Sequence, residues 1–374
     1  MSSGRVYFKG LHGLRFIAAS LVIITHIEIF KARHGIENLY NINKVIKNFG
    51  VYGVDFFFVL SGFLISYLLF KEKDKFGFIN LKHFYIRRIL RIWPLYYFIV
   101  VLVFIILPLI NFPSVPGYSL EGDFFERLIL CLLFLPNASK SFFDFIPYGG
   151  ILWSVGVEEQ FYLLWPVLLK YSKNYFKTII WVIVVFVLLK IVFLLPFFNK
   201  FNHIDSFRTF LAMTRIELMA IGGLGALVVY SKSYDKLILN KWILNGSLLF
   251  LIMIIMFLPK ALNNLLHLCL SIPFILIIIN VAMNKTMFSL ENKMFKFLGN
   301  ISYGLYMFHM TVAGGIIYLA MELGLTSLTF NIFVYVCTFV VTILISHYSF
   351  ILLEKPFLKL KSKFAVIQSG LKVK

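Results

Sequence analysis

LHGLRFIAASLVIITHIEIF, from Leu11 to Phe30, is an apolar run interrupted by one arginine and one histidine. As an α-helix, twenty residues reach about 30 Å, the thickness of the hydrocarbon layer of a bilayer. Arg15 and His26 are eleven residues apart, which at about 100° per residue is three turns plus roughly 20°. Both therefore lie on one stripe, about 16 Å apart along the axis. Ionisable side chains inside a span are costly and usually face a functional interior. Arg15 alone reads equally well as an interfacial anchor, and His26 alone as a satisfied interior histidine. The pair on one stripe, with Glu28 close by, points to function.

Composition extends the membrane reading to the whole chain. Of 374 residues, 60% are hydrophobic and 14% charged, with a mean hydropathy of +0.88; soluble domains carry about 25% charged residues. The expected fold class is all-α, a polytopic membrane helix bundle forming a single domain over 1–374. Net charge is +19. In a soluble chain that balance would suggest nucleic acid; here no nucleic-acid partner is expected, and the basic loops face cytoplasm, anionic headgroups and an anionic substrate. Cys131, Cys269 and Cys337 lie in apolar runs without metal-ligand spacing, so neither a metal site nor a disulfide framework is expected. The first apolar run lacks a small-residue cleavage pattern and is read as a retained helix.

Apolar runs at about 13–31, 51–70, 92–110, 150–170, 178–198, 209–231, 242–259, 262–283, 300–322 and 330–353 suggest ten transmembrane helices. Arg127 to Pro136 is too short to cross. With both termini cytoplasmic, 25 of the 36 basic residues fall inside and 9 outside, as the positive-inside rule requires. Counting 127–136 as a span would invert every later loop. The core motifs run from 10 to 356, followed by a basic cytoplasmic tail, 357–374. The outer segment Asn111–Gly149 is broken by Pro113, Pro116, Pro136 and Pro147.

Four clusters stand out. GVDFFFVLSGFLI, Gly53 to Ile65, places Asp55 at a depth similar to His26, where a carboxylate would fix the imidazole tautomer and raise its basicity; the plainer reading is an Asp capping its helix. RRILRIWPLYY puts Arg88 and Arg91 on one helix face, suited to bidentate binding of anionic oxygens or to ordinary positive-inside anchoring. GGILWSVGVEEQFYLLWP carries Glu158 and Glu159 inside an apolar helix, and only one of them can face a given interior direction. Burying either without a partner is expensive. TRIELMAIGGLGA, ISYGLYMFH and HYSFILLEKP add Arg215, Glu217, Ser302, Tyr303, His309, His347 and Glu354. Arg215 is expected to pair with a glutamate other than Glu217, the nearby glycines allow close helix packing, and His309 serves equally well as a core or a site residue. Glu354-Lys355-Pro356 is expected to end the last helix.

In that order, LHGLRFIAASLVIITH, GVDFFFVLSGFLI, RRILRIWP, WSVGVEEQFY, ISYGLYMFH and EKP resemble the motif series of the acyltransferase-3 family, integral membrane O-acyltransferases of bacterial surface and secreted glycans. The resemblance implies that His26 is the catalytic histidine and that Arg15 completes an Arg-x10-His pair. It further implies that Arg88 and Arg91 bind the donor and that Glu158 is the functional carboxylate. Ser61, Arg215 and His309 are possible supporting residues. No fused extracytoplasmic esterase-like domain of the kind larger members carry is expected here, and the chain reads THIEIF where an apolar or aromatic residue is expected after the histidine.

The chemistry is consistent with this. Acyl transfer to a sugar hydroxyl needs a base and donors for the carbonyl oxygen. His26 oriented by Asp55 is the expected base, Arg88 and Arg91 the expected phosphate site. The expected partners are acyl-coenzyme A (acetyl-CoA above all) as co-substrate, a glycan or lipid-linked saccharide acceptor, and membrane lipids. The expected location is the bacterial inner or plasma membrane. The rival class is a transporter of an anionic solute or lipid-linked sugar past the same charges, although no paired broken helices suggest inverted repeats. The membrane-bound O-acyltransferase superfamily shares the reaction without these motifs.

Overall fold

Asparagines start several of the long helices. In the computed structural model, which describes residues 6–143, 145–232, 263–283 and 290–364 with scattered positions between 242 and 253, Asn43 accepts the Val45 and Ile46 N–H groups, and Asn80 that of His83. Such caps satisfy backbone donors that the helix cannot, at about 1 kcal/mol each. Asn43 opens a helix of 33 residues, so Asp55 lies well inside it and is not its cap. The first helix begins differently: Gly10 adopts φ 80°, and its N–H bonds to Glu291, which also accepts from Tyr7 and pairs with Lys296 at 2.7 Å.

The described helices are α1 Leu11–Arg33, α2 Lys44–Phe76, α3 Leu81–Leu109, α4 Phe124–Leu132, α5 Pro136–Phe142, α6 Leu152–Tyr171, α7 Tyr175–Phe193, α8 Ile204–Met213, α9 Ile216–Ser231, α10 Asn263–Ala282, α11 Lys293–Asn300, α12 Ser302–Glu322 and α13 Ser327–Lys361. Among the described residues seven segments are long and apolar enough to cross a membrane: α1, α2, α3, α7, 204–231, α12 and α13. Of the other expected spans, 150–170 is α6, which has the length but carries Glu158 and Glu159 and is not among the seven. The run 262–283 is α10, whose apolar part is His267–Ala282. The run 242–259 lies largely outside the described residues. The segment 204–231 is not one rod, because the helix breaks at Thr214–Arg215. Residues 127–136 fall on the short α4 and the start of α5.

Of two prolines that follow wide turns, Pro108 lies one residue before the end of α3, but Pro356 does not end its helix. π-helical turns at Leu102–Ile106 and Phe350–Glu354 precede Pro108 and Pro356. The wider turn absorbs the clash between the ring and the carbonyl four residues back and the missing N–H. The expected stop at Glu354-Lys355-Pro356 is therefore corrected: α13 continues to Lys361.

α2 runs through the middle of the bundle, buried over most of its length. It touches α9 backbone to backbone. A Cβ on Gly62 would lie 1.9 Å from the Met219 carbonyl oxygen, and one on Gly222 2.0 Å from that of Val59. Close approach through small residues drives helix association in lipid, where no hydrophobic effect separates helix from tail.

Candidate active site

His26 sits on α1 with its ring against His309 of α12, the centroids 4.9 Å apart. His309 Nδ1 is 2.7 Å from the Tyr306 carbonyl oxygen. A carbonyl only accepts, so that nitrogen carries the proton and Nε2 of neutral His309 is an acceptor. His26 Nδ1 lies 2.9 Å from the Val22 carbonyl and 3.1 Å from His309 Nε2, so it too is the protonated nitrogen and donates to both. The tautomers are thus assigned by the hydrogen-bond pattern, and His26 Nε2 is left as the basic nitrogen. A neutral imidazole oriented in this way can take a proton from a hydroxyl.

Next to this pair lies a cavity of about 280 Å³. Its wall includes Arg15 of α1, Arg88 and Arg91 of α3, and Lys361 of α13, with Glu158, Glu354, Ser61, Ser154, Tyr303 and Tyr306. The starts of α1, α3 and α12 and the end of α13 therefore meet at one end of the bundle. Among the described residues, none of the four cations has a carboxylate partner within 4.0 Å. Arg88 lies over the rings of Phe84 and Tyr162, and its buried Nε has no acceptor. Glu158 accepts from Ser61 at 2.7 Å and from Tyr162 at 3.3 Å. Glu159 turns away to Trp93 at 3.0 Å, as the 100° step between neighbours requires. Tyr306 stands between cavity and histidines. Its hydroxyl bonds Ser154 at 2.6 Å, while its carbonyl receives His309.

The expected Asp55–His26 pair does not form. Asp55 is fully buried; one oxygen meets Arg215 and the other His267 Nδ1 at 2.6 Å. The break before α9 frees the Arg215 side chain to reach α2, so its partner is an aspartate and not a glutamate; Glu217 pairs with Lys190. Arg215 also lies 5.5 Å from the centre of the Trp153 ring, and Lys140 of α5 lies 5.4 Å from the same ring. Glu28 belongs to a separate clamp. It binds Lys31 at 2.7 Å, Tyr335 at 2.8 Å and the Leu39 N–H, and Lys31 also reaches Asn331. Every partner is structural, tying the far end of α1 to α13.

The structure thus brings Arg15, Ser61, Arg88, Arg91 and Glu158 into one cavity. It sets His26 and His309 together behind Tyr306, and puts Asp55 and Arg215 in a third cluster. Sequence reasoning missed His267, Tyr306, Ser154, Lys140 and Lys361. Tyr306 and Ser154 lie inside quoted motifs, whereas His267 is a lone histidine in an apolar run and Lys361 one lysine of a basic tail.

A multi-pass helical bundle that keeps an oriented histidine beside a cavity lined by cations with no carboxylate within 4.0 Å among the described residues has the layout of a membrane enzyme. The chain belongs to the acyltransferase-3 family: the profile of its acyltransferase domain matches residues 8–348. A Staphylococcus aureus (strain COL) protein named "Putative O-acetyltransferase" is 28% identical over 94% of this chain and 58% of its own length. The peptidoglycan O-acetyltransferase OatA of Listeria monocytogenes is 34% identical over 46% of this chain and 26% of its own. The chain therefore spans a little over half the length of the staphylococcal relative. No solved structure matches it.

Proposed function

We propose that the protein is a membrane O-acyltransferase that moves an acyl group, acetyl above all, from acyl-coenzyme A in the cytoplasm to a hydroxyl of a glycan or lipid-linked saccharide at the outer face. The observation that carries this reading is the meeting of Arg15, Arg88, Arg91 and Lys361 in one cavity, with no carboxylate within 4.0 Å of them among the described residues. Four such charges ask for a polyanion, and a coenzyme A thioester carries a diphosphate and a ribose phosphate. Guanidinium forks bind such oxygens bidentately. Glu158, held by Ser61 and Tyr162, tempers the positive field at the deep end. The name of the Listeria relative makes peptidoglycan the first acceptor to test.

In the reaction, the acceptor O–H gives its proton to His26 Nε2 as the oxygen attacks the thioester carbonyl. The tetrahedral intermediate collapses with cleavage of the C–S bond, and the imidazolium returns the proton to the departing sulfur. His309 keeps the His26 ring in the orientation and tautomer that the first step needs. Asp55 holds Arg215 and His267, and so acts on the scaffold around Trp153 rather than on the imidazole. Purified protein given labelled acetyl-CoA and a peptidoglycan fragment should transfer label to the glycan. A transporter would move solute across a vesicle with no transfer, and that result would remove the acyltransferase reading.

A further inference from the structure

The helix that was expected to stop at Pro356 does not stop there, and its extra turns have a destination. They carry Leu358 and Lys361 into the wall of the cation-lined cavity. The end of α13 is fastened down through Phe364. Arg87 donates from Nη1 to the Phe364 carbonyl at 3.0 Å and from Nη2 to Glu72 at 3.0 Å, while Glu72 also accepts the Asn80 N–H. The Phe364 ring lies 5.9 Å from that of His83. A lysine held in this way loses less conformational freedom on meeting a ligand than one on a loose tail.

We propose that Lys361 is a binding residue of the donor site and meets the 3′-phosphate of the coenzyme A ribose; this rests on the acyl-CoA reading above. The division of charges around the cavity supports it. Ser154 and Tyr306 close the end next to the histidines. Arg88 and Arg91 stand one turn apart on one face of α3 and offer two guanidinium forks, as a diphosphate requires, whereas Lys361 reaches the same cavity from another helix as a single ammonium. A donor that enters thioester first sets its diphosphate against the arginine pair. Its ribose phosphate, a separate monoester, is then left to the Lys361 ammonium. A phosphate of an anionic lipid headgroup offers the same chemistry to a lysine at a helix end, and the choice of probes separates the two.

The test uses the full chain in a neutral detergent free of anionic lipid. Affinities for acetyl-CoA and for 3′-dephospho-acetyl-CoA are measured on wild type, Lys361→Ala, Lys361→Arg and Arg88→Ala. Wild type should prefer acetyl-CoA. Lys361→Ala should bind acetyl-CoA about tenfold or more weakly and the dephospho compound as wild type does, with Lys361→Arg retaining most of the preference. If Lys361→Ala weakens both compounds equally, or neither, the assignment is wrong and Lys361 serves the general field or the lipid headgroups. Loss of affinity in Arg88→Ala would then leave the donor reading standing. A wild-type protein that binds neither compound overturns both.

Discussion

His309 Nε2 faces His26 Nδ1 at 3.1 Å, and this contact, with the Val22 carbonyl at 2.9 Å, holds the ring of His26 and leaves Nε2 as the base. Because His309 commits its own proton to the Tyr306 carbonyl, it can only accept from His26, and the His26 Nε2 lone pair stays available. Removing His309 should therefore impair chemistry and leave donor binding intact. His309→Ala is expected to lower kcat by about 10²-fold, the size of effect that small misplacements of a catalytic group produce, with the donor KM unchanged. His309→Gln, whose amide oxygen can accept, should recover part of the loss.

Arg88 and Arg91 should behave in the opposite way. Alanine at either position is expected to raise the donor KM by about 1.5–3 kcal/mol in free-energy terms. Lysine should restore only part, since an ammonium cannot form the bidentate fork. Normal donor binding by both alanine variants would reduce the pair to anchors of topology.

Asp55, paired with Arg215 and His267, is expected to act through stability. Asp55→Ala leaves Arg215 buried without its counter-charge, a change that costs about 3–5 kcal/mol at buried pairs. Thermal unfolding of the purified protein should show that loss. Replacing Asp55 and Arg215 together by apolar residues should be milder than Asp55→Ala alone. An Asp55→Ala protein as stable as wild type but inactive would return Asp55 to the chemistry.

Much of this layout is legible in residue spacing. The 3.6-residue period puts Arg15 and His26 on one stripe and Arg88 beside Arg91, and it predicts that Glu158 and Glu159 diverge. What the spacing does not contain is which distant element supplies each partner. Asp55 lies 160 residues from Arg215 and 212 from His267, and equal depth on neighbouring helices made His26 look nearer than either. The break at Thr214–Arg215, which lets Arg215 reach α2, has no glycine or proline to announce it. The continuation of α13 past Pro356 depends on a π-turn, and its sequence, FILLE, reads like ordinary helix.

Glu291 gives an expected acid-sensitive link outside the spans. Partial burial pushes its carboxyl up, but hydrogen bonds from Lys296, Tyr7 and the Gly10 N–H more than offset this, and the net shift is downward. A depressed pKa contributes stability that is present above the unfolded-state value and is lost as pH falls through the folded one. Glu291→Gln should therefore lower the melting temperature at neutral pH, and the difference from wild type should shrink as both are acidified below the ordinary glutamate range.

The most direct test is His26→Ala in the acetyl-transfer assay, with expression level and acetyl-CoA affinity measured on the same preparation. The variant should accumulate and bind donor like wild type, because His26 lies outside the cavity wall and removing one polar ring from an apolar helix spares the span. Its rate of transfer to glycan should fall by roughly 10²–10⁴-fold. Transfer at a near wild-type rate would contradict the account and move the base elsewhere.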